Sequence, residues 1–135
     1  MSGVYTWRMI LDNYGTWLEI DLSILRKNYQ LLSELSDSKV MPIVKANAYG
    51  HGFERVAVAL EGAGAEWFGV ARAEEALKLR ELGIKGNILV LGYTPPSRVS
   101  HAIKERISLT VYDILVAESY ASQAQGLKQR VNLRV

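Results

Sequence analysis

The chain has 135 residues, 49% apolar and 22% charged, with 16 Lys and Arg against 14 Asp and Glu. Those proportions describe a core-forming globular chain rather than a disordered one. A formal charge of +2 is too small for a polyanion-binding surface, so nucleic acid is not an expected partner. With no cysteine and only two histidines, His51 and His101, disulfides and thiolate nucleophiles are excluded and a metal centre is not expected.

Residues 1–15 read as an N-terminal extension without the apolar run of a secretory signal. The longest apolar stretch, 56–71, is interrupted by Glu61 and Glu66. It falls short of the roughly 18 uninterrupted apolar residues of a membrane span. The expectation is a cytoplasmic protein with no membrane partner. From residue 16 onward the chain reads as one domain. A possible strand at 16–20 is followed by a helix that Ser23 would cap. Leu25, Asn28, Leu32 and Leu35 would form one face of this helix, flanked by Ile24 and Leu31. Short runs rich in Val, Ile, Leu and aromatic residues then recur at 40–44, 67–71, 87–91, 108–112 and 131–135. This is the pattern of strands buried on both faces of a parallel sheet. Between them lie helical segments. Phe53 to Glu61 stops at Gly62-Ala63-Gly64, Ala73 to Leu82 ends at Gly83, Pro95-Pro96 opens a helix through Lys104, and Ile114 to Gln125 ends at Gly126.

Alternation of strand and helix implies a parallel sheet with right-handed crossovers. Two α/β architectures fit: a doubly wound open sheet, or a (β/α)8 barrel of the TIM type of which the chain holds about half. A complete barrel needs about 250 residues.

The stretch Met41 to Gly52 is the most informative. It ends an apolar strand in Lys45 and turns through Asn47, Tyr49 and Gly50. In parallel α/β folds reactive side chains collect at the C-terminal ends of strands. A lysine partly withdrawn from water there would have a lowered pKa, and its neutral amine could form a Schiff base; the plainer alternative is a lysine that closes the strand and reaches solvent. The amides of Gly50 and Gly52 could face an anion. No phosphate-binding P-loop or dinucleotide fingerprint is present. His51 reads as a turn residue and His101 as a solvated helix residue. Glu19 and Asp21 would share one strand face and read as structural.

The run Val44-Lys45-Ala46-Asn47-Ala48-Tyr49-Gly50-His51-Gly52 resembles the pyridoxal-phosphate lysine motif of bacterial alanine racemases. The resemblance continues through Trp17-Leu18-Glu19-Ile20-Asp21-Leu22 with Asn28, and through Gly69-Val70-Ala71, Glu74-Glu75-Ala76, Leu79-Arg80 and Gly83-Ile84. It extends to Ile88-Leu89-Val90-Leu91-Gly92 and Leu109-Thr110-Val111-Tyr112. It implies a fold-type III enzyme, a (β/α)8 barrel followed by a β-rich domain, which interconverts L- and D-alanine for peptidoglycan and works as a homodimer. The cofactor would be pyridoxal 5'-phosphate. Lys45 matches the lysine that holds it as an aldimine and also serves as the base on the D-alanine side. Tyr49 matches a tyrosine that contacts the cofactor phosphate, and Leu91 an apolar residue beside the cofactor.

The family's second base, its ring-stacking histidine, its pyridine-binding arginine and most of its phosphate contacts have no counterpart in these 135 residues. Arg134 could stand where the family has a lysine, carbamylated in some members, although that lysine is expected further on. The expectation is therefore an N-terminal portion of a longer enzyme. A serine or broad-specificity racemase and a non-catalytic pyridoxal-phosphate-binding fragment are the alternatives. Decarboxylases of the same fold share only a shorter K-A-N. An unrelated flavodoxin-like binding domain is a further reading.

Overall fold

The computed structural model describes Gly15, residues 18–127 and residues 133–134. The first helix, α1 (Leu22–Leu35), begins two residues earlier than its sequence suggests, because Asp21 and not Ser23 caps it. Asp21 has an extended backbone, and its Oδ1 accepts from the amides of Ser23 at 2.8 Å and Ile24 at 3.2 Å. The Ser23 hydroxyl donates to the same oxygen at 2.7 Å. Both residue types cap helices, and the charged acceptor one turn edge earlier wins. This also removes the expected Glu19/Asp21 strand face: residues 18–20 form no strand, and Thr16 and Trp17 lie outside the described residues.

Next comes a short turn, α2 (Lys45–Tyr49), then α3 (Phe53–Gly62), β1 (Trp67–Val70), α4 (Ala73–Glu81) and β2 (Asn87–Val90). They are followed by α5 (Pro96–Lys104), β3 (Ile107–Thr110), α6 (Ile114–Ala124) and β4 (Leu133–Arg134). These agree with the expected elements to within a residue or two. Val131, Asn132 and Val135 lie outside the described residues. Left-handed glycines stand where stops were expected, with Gly64 at φ 98°, Gly83 at φ 84° and Gly126 at φ 82°.

One expected strand is reduced. Residues 40–44 form no regular strand and make one parallel bridge, between Ile43 and Gly69. Val44 N–H donates to Gly69 O, and Gly69 N–H donates to Pro42 O, both at 2.9 Å. Pro42 has no amide of its own to extend the ladder.

The four strands are parallel and lie in sequence order, β1-β2-β3-β4, with the Ile43 segment on the outer side of β1. A doubly wound sheet reverses its strand order at a switch point. None occurs here. The two sheet faces also differ. Phe68, Val70, Ile88, Val90, Ile107 and Leu109 are 0–1% exposed. Successive helices pack on one another, α3 on α1, α5 on α4 and α6 on α5. The alternate residues Trp67, Leu89 and Thr110 are only half-buried. Helices thus cover one face, which is the outer wall of a barrel, and the chain is part of a (β/α)8 TIM-type barrel.

α1 departs from its expected burial. Leu22 is buried and Leu25 and Tyr29 pack on the core, but Leu32 and Leu35 are 57% and 74% exposed. Ile24 and Leu31 are exposed as well. Among the described residues, no helix is long and apolar enough to cross a membrane.

Candidate active site

Lys45 stands at the C-terminal end of the segment that bridges to β1. Side chains alternate along an extended segment. Val44 is 1% exposed, on the helix side, whereas Ile43 and Met41 approach the open face of Gly69. Lys45 follows Val44, whose ψ of 15° takes the chain out of the extended path and into the turn. Leu91, one residue past β2, closes on the same place: its Cδ1 lies 3.6 Å from where a Cβ on Gly69 would be, and Met41 Cε lies 3.5 Å from it. Ile43, Met41 and Leu91 thus meet over Gly69, with Ile43 two residues before Lys45 along the chain.

The turn after Lys45 has an unusual backbone. Ala46, Asn47, Ala48 and Tyr49 have φ of 51°, 57°, 52° and 54°. With ψ between 39° and 52° at the first three, α2 is a single left-handed turn. It is held from within. Ala48 N–H donates to Val44 O at 3.0 Å, and Gly50 and Gly52 N–H both donate to Asn47 O at 3.1 Å. The Asn47 side chain accepts from Phe53 N–H at 2.8 Å, at the start of α3. The expected anion-facing role of the Gly50 and Gly52 amides is thereby corrected, since both are spent on Asn47. His51 Nδ1 sits 2.8 Å from Ala48 O, which as an N–H donor makes it a lock on the turn.

Tyr49 ends the turn. Its ring is 61% exposed and borders an apolar groove of about 370 Å³ with Tyr29, Val44 and Leu60. A second cavity of about 370 Å³ lies on the α3 side, lined by Ile20, Asn47, Gly52, Phe53 and Lys78. Arg134 pairs in register with Thr110, and its guanidinium lies 5.3 Å from the centre of the Trp67 ring. No group of three or more potential metal ligands occurs among the described residues.

Sequence reasoning missed Glu75. Its Oε1 accepts from Ala46 N–H at 2.8 Å, and its Oε2 accepts from Ala71 N–H at 2.8 Å and Arg72 N–H at 3.1 Å. Half of this was legible: an acid at the third helical position commonly reaches back to the capping residue. The Arg72 side chain has no acceptor with which to reciprocate.

A family model described as "Alanine racemase, N-terminal domain" matches residues 20–135. The chain belongs to the alanine racemase family. Alanine racemase 1 of Caldanaerobacter subterraneus subsp. tengcongensis is 40% identical over 122 residues, which are 89% of this chain and 31% of that protein. The solved alanine racemase of Clostridium difficile 630 superposes with a TM-score of 0.78 at 35% identity. That match covers 84% of this chain and 30% of the other. A histidine racemase from Leuconostoc mesenteroides subsp. sake NBRC 102480 gives 0.77 at 32% identity, over 83% and 30%. The chain thus spans about a third of the length of the alanine racemases it matches, and those matches cover the strand, turn and helices around Lys45.

Proposed function

We propose that this chain is the N-terminal barrel portion of a pyridoxal-phosphate-dependent alanine racemase, with Lys45 as the residue that holds the cofactor. The carrying observation is the state of that amine. Lys45 is half-buried at the end of the segment bridged to β1, and among the described residues its amine makes no hydrogen bond or ion pair. Lys39 and Lys78 are paired with Glu66 and Glu54. An unengaged primary amine beside an apolar inner wall fits the aldehyde end of the cofactor.

When bound, the cofactor supplies an electron sink for the charge left as Cα loses its proton. Lys45 would be the base at Cα, its Nζ taking up or returning that proton. Tyr49 would donate a hydrogen bond from its hydroxyl to the cofactor's phosphate. Leu91, which approaches Gly69 together with Ile43, would be an apolar neighbour of the cofactor. The remaining groups, including the second base, come from residues outside this chain, in a cytoplasmic homodimer that supplies D-alanine.

A second reading concerns substrate. The likeness to a histidine racemase over this same region supports a chain segment that builds the lysine site without choosing the side chain, so serine or broader specificity belongs with the alanine reading. The test is to supply the full-length protein with pyridoxal phosphate and to measure racemisation of L-alanine, L-serine and L-histidine. Alanine as the preferred substrate is the expected result. Cofactor uptake without turnover of any of the three would instead favour a non-catalytic pyridoxal-phosphate-binding protein.

A further inference from the structure

The turn that carries Lys45 is built against the preference of its own residues. Each L-residue in the left-handed helical region costs roughly 1–2 kcal/mol, and four consecutive residues occupy it. Such a stretch persists only where surrounding bonds over-determine it. Nearly all of those bonds are local, within residues 44–53. The exception is Ala46 N–H, which reaches Glu75, 29 residues away. The same carboxylate holds the two amides at the end of β1 and the start of α4.

We propose that Glu75 is the positioning residue for Lys45, a two-oxygen clamp that fixes the direction in which the lysine leaves its strand relative to the end of β1. The proposal rests on the reading of Lys45 as the cofactor-holding residue. Its chemistry is specific. All three partners are N–H donors, so the clamp must be an acceptor on both sides, as an ionised carboxylate is. Glutamine has one oxygen. Two donors converge on the Ala71/Arg72 side, so that oxygen stays there and the NH₂ group meets the Ala46 amide, donor against donor. Glu75→Gln therefore keeps the helix cap and releases the Lys45 turn. Aspartate, one methylene shorter, does not span both sides. Glu74 is the control: its carboxylate faces outward to Arg98 at 3.2 Å, with both side chains about half-exposed.

The experiment places E75Q and E74Q in the full-length protein and adds pyridoxal phosphate. Three readouts are taken: induced circular dichroism of the cofactor band per bound cofactor, kcat and KM for L-alanine, and the melting midpoint without cofactor. E75Q is expected to lower the dichroism per cofactor about twofold or more and kcat about tenfold or more, since small misplacements of a reacting group carry large penalties. KM and the cofactor-free midpoint stay close to those of the wild type. E74Q leaves all three unchanged. The proposal is overturned if E75Q retains the wild-type dichroism and kcat, or if its only effect is a lower melting midpoint. A wild-type protein that takes up no cofactor at Lys45 overturns it too, and is distinguishable because the underlying reading then fails first.

Discussion

Ile43 fills the space that a Cβ on Gly69 would occupy, so the segment leading to Lys45 lies against β1 as closely as a glycine permits. Met41 and Leu91 close around the same point. Alanine at Gly69 would have to displace Ile43, and overpacking of a filled interior costs about 1–3 kcal/mol. Gly69→Ala is expected to lower the melting midpoint, and Ile43→Val in the same chain to recover part of the loss. A double-mutant cycle of thermal melts checks this, and strictly additive effects would mean that the two residues do not compete for one space.

Thr94 opens a second prediction. It is fully buried, and its Oγ1 has no hydrogen-bond partner among the described residues, although its amide donates to the Tyr120 hydroxyl at 2.9 Å. A buried hydroxyl without a partner costs about 1–3 kcal/mol by protein mutational measures. Thr94→Val keeps the shape and removes the orphan. It is expected to stabilise the protein by about 1 kcal/mol, read as a higher melting midpoint.

Asp21 gives the chain an acid-sensitive helix start. The Ser23 hydroxyl, followed by the amides of Ile24 and Ser23, holds its carboxyl below the ordinary carboxylate range. A carboxyl depressed in the folded state contributes stability that is fully present above its unfolded pKa. That contribution is lost as pH falls through the folded value. Asparagine caps nearly as well and does not titrate. The stability advantage of the wild type over Asp21→Asn should therefore be constant at neutral pH and disappear in acid below the ordinary carboxylate value. Thermal melts of the two proteins across that range check it, and an advantage that grows on acidification would contradict the assignment.

Helices were legible through their punctuation, with Gly83 after α4 and Pro96 at the start of α5, and strands as short apolar runs; that one face of those strands is only half-buried at Trp67, Leu89 and Thr110 was not, because burial on both faces was expected. Periodicity could not choose between open sheet and barrel, because that depends on strand order, a long-range property; the resemblance around Lys45 pointed to the barrel, and the strand order agrees. The position of Lys45 was readable from the strand that ends there. The left-handed path of Ala46 to Tyr49 was not, because Ala and Tyr have no local preference for it and the bonds that enforce it come from Asn47, His51 and Glu75. Asp21 and Ser23 illustrate a smaller limit, two good caps two residues apart, decided by which carries the charge. Periodicity marked the apolar stripe of α1, but nothing local states what lies against Leu32 and Leu35.

The most direct test of the account is chemical. The full-length protein is supplied with pyridoxal phosphate, reduced with borohydride and digested, and the modified peptide is mapped by mass. The expected result is a pyridoxyl group on Lys45, absent from Lys45→Ala, together with loss of racemisation in that variant. Modification at a different lysine, or racemisation that survives Lys45→Ala, would contradict it.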